Sequence, residues 1–117
     1  MAVGEFAAAI FFWFQFQFDV PLVFLLLFYL NYYYRMNRDG TFSNGSGVGN
    51  ELASERPFVR KLIIDSLKHW VREYKIDGFR YDLMALVDVD TIKIALKELR
   101  KINPNLIMYG EPWMALG

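Results

Sequence analysis

Cysteine is absent from the 117 residues, so disulfides and thiolate metal sites are excluded, although the redox compartment stays open. Histidine occurs once, at position 69, and no basic residue precedes Arg35. Without a positively charged leader, a secretory signal is not expected. Net charge is also lacking, with 13 basic residues against 13 acidic ones, so nothing points to a nucleic-acid partner. The glycine-rich run Asn44-Gly45-Ser46-Gly47-Val48-Gly49-Asn50 has no lysine of the phosphate-loop kind and no strand before it, which argues against nucleotide binding. What the chain has in excess is apolar surface: 55% hydrophobic and 18% aromatic residues, concentrated in the first thirty positions.

Residues 1–31 differ in character from all that follows. Phenylalanine dominates positions 11–18, and Leu22 to Leu30 is almost wholly apolar. A membrane-crossing helix needs about 20 such residues in a row. Gln15, Gln17, Asp19 and Pro21 break the run near its middle, so membrane association of 1–31 is disfavoured relative to a buried or disordered apolar segment.

Residues 32–56 read as a loop, with a turn at Asn37-Arg38-Asp39-Gly40 followed by the glycine-rich run. That run is either a flexible connector or an ordered loop that lets a polymer approach the backbone closely. A helix follows, with Ser54 as N-cap and Pro57 in its first turn. Val59, Leu62, Ile63, Leu67, Trp70, Val71 and Tyr74 recur at three- and four-residue steps and predict its apolar stripe. His69 lies in the same helix and reads as a surface residue. A second helix is expected over Asp90 to Ile102, started by Asp88 and Asp90 and stopped by Asn103-Pro104-Asn105. Those two acids read as helix-start residues, and no metal site or other cofactor is expected.

Two short strings carry the chemistry. In Gly78-Phe79-Arg80-Tyr81-Asp82-Leu83, Phe79, Tyr81 and Leu83 alternate with Arg80 and Asp82, which is the period of a strand. Arg80 therefore shares a face with Asp82 and favours its ionised form. Leu106 to Glu111 reads as a second strand, ended by Pro112. Asp82 and Glu111 stand about one β-α-β step apart, roughly 30 residues. If the strands are parallel neighbours, about 4.8 Å apart, the two carboxyl groups approach the roughly 5–5.5 Å separation of retaining glycosidases. One would be an ionised nucleophile and the other a proton donor whose pKa the neighbouring anion raises. The rival readings are a structural ion pair for Asp82 with Arg80, a strand-end cap for Glu111 and core packing for Trp113.

From about Tyr32 to Gly117 the chain resembles the type I pullulanases, debranching members of the α-amylase-type glycoside hydrolase superfamily. The likeness rests on Tyr32-Tyr33-Tyr34-Arg35, on Asn44 to Glu51 with Ala53-Ser54-Glu55-Arg56-Pro57, on Gly78 to Met84 and on Tyr109-Gly110-Glu111-Pro112-Trp113. It implies an α/β fold class: a fragment of a (β/α)₈ TIM barrel, about strands 4 and 5 with flanking helices, over 32–117, preceded by the unrelated apolar segment 1–31. It implies Asp82 as nucleophile, Glu111 as acid and then base, and Arg80 as the group that orients Asp82. Trp113 and Asn50 are the candidate substrate contacts. The implied partner is an α-glucan (pullulan, or the branches of starch or glycogen) cut at α-1,6 linkages with retention.

Two histidine-bearing regions of that family have no counterpart here. A truncated or frame-disrupted piece is therefore expected, aggregation-prone and without debranching activity. Its alternatives are a membrane-associated or carbohydrate-binding fragment and a complementation piece of a split barrel.

Overall fold

The structure is a computed structural model that describes residues 22–115. The chain divides into two compact units, Met1–Tyr32 and Tyr33–Gly117. In the first, the leucine-rich run forms helix α1 (Leu22–Tyr33), whose last residue enters the second unit. Leucine loses little rotamer freedom in a helix, and the segment carries no glycine or internal proline. The helical winding takes in Tyr32 and Tyr33, which the turn-rich sequence after them had suggested were loop. Phe28 and Tyr32, four residues apart, stack at 6.4 Å between ring centres. Among the described residues no helix is long and apolar enough to cross a membrane. Most of the segment for which membrane association was weighed, 1–31, lies outside the described residues.

The second unit begins with a small antiparallel arrangement rather than a bare loop. Tyr34 bridges Leu52 and Met36 bridges Phe42, so residues 33–36 run between two flanking segments. The turn between them is closed by Asn37 and Thr41, with Gly40 at φ +84°. Helix α2 (Pro57–Tyr74) follows, then strand β1 (Gly78–Tyr81), a single 3₁₀ turn (Met84–Leu86), helix α3 (Val89–Arg100) and strand β2 (Ile107–Gly110). The strands pair in parallel, Gly78 opposite Ile107 and Tyr81 opposite Gly110.

Ser54 does not cap α2. Arg56 holds the N-cap position without a side-chain cap, and its backbone is extended because Pro57 disfavours the helical conformation in the residue before it. Ser54 is instead buried, and its Oγ accepts from the backbone N–H of Asp88 at 2.9 Å. Asp88 in turn caps α3 by accepting from Thr91 N–H at 2.9 Å. The stripe of α2 agrees with its periodicity at Val59 and Val71, which are buried, and departs from it at Leu62, Trp70 and Tyr74, which are exposed, and at Ile64, which is buried. Only the side of the helix that meets α3 and the sheet is covered. His69 is exposed, against the rings of Trp70 and Tyr74.

The core gathers Val71, Leu99 and Leu106, with Leu67, Ile76, Phe79, Leu96, Ile102 and Met108 packed on it. Leu99 and Leu106 have no exposed surface, and burying a leucine completely is worth about 1.5–3 kcal/mol. Phe79 and Met108 thus turn one sheet face to the core. Arg80, Ile107 and Tyr109 lie on the other, exposed face.

Candidate active site

The parallel register extends one step past both strands. Glu111 N–H donates to the Tyr81 carbonyl at 2.9 Å, and Met84 N–H donates to the Glu111 carbonyl at 2.8 Å. With Tyr81 opposite Gly110, the next residues of the two strands are Asp82 and Glu111. The chain can turn this tightly because position 110 is glycine. A Cβ there would lie 2.7 Å from the Tyr81 carbonyl oxygen and 2.8 Å from the Met84 side chain. The alternation ends at Asp82, since Leu83 takes a left-handed backbone, φ +48°. That turn aims the Leu83 N–H at Glu111 Oε2, 3.3 Å away.

One guanidinium serves both acids. Arg80 Nη1 pairs with Asp82 Oδ1, and Nη2 pairs with Glu111 Oε1 at 2.5 Å. The two carboxyl groups therefore converge on the same end of the sheet. Asp82 leaves 78% of its side chain in solvent and Glu111 only 24%. The Leu83 N–H and then the Arg80 guanidinium hold the Glu111 carboxyl below the usual glutamate range. This reverses the direction expected from the sequence, where repulsion from Asp82 was to raise it. Hydrogen bonds from the Leu83 N–H and Arg80 to the charged form outweigh the desolvation that would raise it. Arg80 itself is held more firmly protonated, first by its bond to Glu111.

Behind the sheet, the Tyr81 hydroxyl is buried without a hydrogen-bond partner, and burial pushes its pKa up to about 12. Among the described residues no cluster of three histidine, cysteine, aspartate or glutamate side chains stands ready for a metal ion.

A cavity of about 290 Å³ opens beside Asp82, walled by Ser46, Asn50, Glu51, Leu83 and Leu86 among others. Of the residues expected from the sequence, Arg80, Asp82 and Glu111 form one cluster, and Asn50 joins Asp82 at the cavity. Trp113 lies apart from its wall, 57% exposed beyond Pro112. Sequence reasoning missed Arg35 and Glu51. Both lie in strings that carry the family resemblance, and they stand as opposite charges on either side of the glycine-rich stretch, but neither signal gave them a role.

No family model matches the chain. It is 43% identical over 82 residues to a pullulanase of Bacillus subtilis, covering 70% of this chain and 11% of that relative. Its fold matches the pullulanase from Bacillus acidopullulyticus with a TM-score of 0.72 at 49% identity, over 74% of this chain and 11% of that one. It also matches a pullulanase from an Anoxybacillus species complexed with maltotriose, with a TM-score of 0.69 at 50% identity, over 73% and 12% of the two chains. The chain thus spans about a ninth of the length of the Bacillus subtilis relative. Paired acids at the ends of adjacent parallel strands, seen together with these relatives, make the segment part of a glycoside hydrolase family. Within it the chain belongs to the pullulanases, of which it holds a partial region.

Proposed function

We propose that residues 32–117 are the portion around the fourth and fifth strands of a (β/α)₈ barrel, carrying the nucleophile and the acid/base of a retaining hydrolase for α-1,6 linkages in α-glucans. The observation that carries this reading is the single Arg80 guanidinium bridging Asp82 and Glu111 at the ends of neighbouring parallel strands. In the first step the Asp82 carboxylate attacks the anomeric carbon while Glu111 gives its proton to the departing glycosidic oxygen. In the second, ionised Glu111 takes a proton from water, which displaces Asp82. The low pKa of Glu111 in the free chain suits the second step. For the first step Glu111 has to leave the Arg80 guanidinium and the Leu83 N–H and gain a proton. Asn50 and Trp113 would contact the glucan, the indole by stacking on a sugar face. Complexes of related pullulanases with maltotriose support an α-glucan ligand.

The chain alone is expected to release no reducing ends from pullulan, because the two strands among the described residues supply only part of a substrate cleft. Replacing the matching segment of the Bacillus subtilis pullulanase with residues 33–115 tests the assigned roles. The chimera should cleave pullulan, Glu111→Gln should lower its kcat by about 10²–10⁴-fold, and Asp82→Asn should abolish turnover. A chimera in which Asp82→Asn keeps full activity overturns the reading.

A second reading, a complementation piece that docks on a separately supplied remainder of the barrel, is favoured by the exposed apolar residues Phe58, Leu62, Trp70 and Tyr74 on α2. Debranching activity restored by mixing the chain with such a remainder would select it.

A further inference from the structure

We propose that Arg35 is a positioning residue: with Glu51 it fastens the glycine-rich loop to the ends of both acid-bearing strands, so that the loop forms a fixed wall of the site. Its guanidinium reaches four groups from two segments, 51–55 and the turn at Leu86. Nη1 donates to the Leu86 carbonyl at 2.7 Å, in the turn that follows Asp82. Nη2 donates to Ser54 Oγ at 3.1 Å and to Glu55 Oε2 at 2.8 Å, and Nη1 also pairs with Glu51 at 3.5 Å. Its backbone N–H donates to the Glu51 carbonyl and its carbonyl accepts from Ser43 N–H, at 3.0 and 2.9 Å. Arg35 is thus tied to both flanks of the loop and, through Leu86, to the first strand's end.

Glu51 pins the loop from within. Its side chain is only 9% exposed, and it accepts from Ser43 Oγ at 2.9 Å and from the Gly45 N–H at 2.7 Å. The Gly45 carbonyl then accepts from Ala115 N–H at 2.9 Å, in the segment that follows Glu111. Gly45 therefore sits between the two strand extensions. A Cβ there would stand 2.6 Å from Glu51 Oε2, 2.8 Å from Leu86 Cδ2 and 3.5 Å from Met114 Sδ, so no side chain fits without loosening the clamp. Asn50 and Ser46, on the cavity beside Asp82, hang from this frame. Only a planar fork satisfies so many acceptors in fixed directions, and lysine does not replace it.

The consequence for catalysis rests on the proposed hydrolase reading, but the test does not need turnover. Amide hydrogen exchange and ¹H–¹⁵N spectra of the 117-residue chain would be compared with those of Arg35→Lys and, as a milder variant, Ser43→Ala, which removes one donor to Glu51. Lys68→Met, which breaks the Lys68–Glu98 pair between α2 and α3, is the control. A lost hydrogen bond to a charged group speeds exchange about tenfold or more. Arg35→Lys should do this at Gly45 and Ala115 and shift the Leu83 and Val87 amide signals, leaving Val71 and Leu99 protected. Ser43→Ala should do the same at Gly45 more weakly, and the control should leave all four amides in place. The proposal is overturned if the Arg35→Lys chain keeps the parent's exchange at Ala115 and its Leu83 signal. It is equally overturned if Gly45 and Ala115 are unprotected in the parent, or if Lys68→Met moves the same amides. Failure to cleave a glucan, by contrast, would leave this result untouched.

Discussion

At the residue scale, Arg80 decides the electrostatics of the acid pair. Its two terminal nitrogens each hold one carboxylate, so the two anions are bridged before any ligand arrives. With the Leu83 N–H it keeps Glu111 below the ordinary glutamate value. Replacing Arg80 with methionine removes one of those two supports and leaves Asp82 facing Glu111 directly. The Glu111 carboxyl resonance, followed by ¹³C NMR, should then titrate at higher pH than in the parent chain. An unchanged midpoint would mean that the guanidinium contributes nothing to the ionisation of Glu111. The facing of Arg80 and Asp82 was legible from alternation alone, because side chains two apart on a strand share a face. The direction of the Glu111 shift was not legible. It depends on the left-handed turn at Leu83 and on one cation spanning two strands, neither of which local patterning encodes.

At the element scale, the helices and strands follow their sequence signals where local chemistry suffices and depart where neighbours decide. Both strands, their parallel pairing and α3 with its Asp88 cap agree with the periodicity and end signals. The buried side of α2 does not, since Leu62, Trp70 and Tyr74 fit the helical spacing yet face solvent. Spacing says which residues share a stripe, while burial depends on what packs there. The end of α2 shows a related tension. Lys75 closes the helix in a left-handed conformation at φ +55°, with its N–H on the Val71 carbonyl at 3.1 Å. A residue with a Cβ pays roughly 1–2 kcal/mol for that geometry, and glycine does not. Lys75→Gly should therefore raise stability by about 1 kcal/mol in urea denaturation, and a loss of stability would show that the lysine side chain outweighs the strain.

At the scale of the whole molecule, two carboxylates, the partly buried Asp88 and the more exposed Glu55, tie distant segments together. Burial alone would raise Asp88, but its bonds to Thr91, Ser54 and Arg60 outweigh this and leave it low. Burial likewise opposes ionisation of Glu55, and the Arg35 hydrogen bond overrides it. Both folded values lie below those of the unfolded chain, about 3.9 for aspartate and 4.3 for glutamate. Their contribution is complete above that range and fades as pH falls through the depressed folded values. The urea midpoint of the chain should be lower at pH 3 than at pH 6, and a flat profile would remove these pairs from the account of stability.

The parallel pairing also sets an order of events in folding. A hairpin closes across a few residues, but Gly78 and Ile107 pair across a crossover that contains the whole of α3. Contacts between residues so far apart in the chain form slowly. The meeting of Asp82 with Glu111 is therefore expected to come late in folding, after the local contacts within the helices.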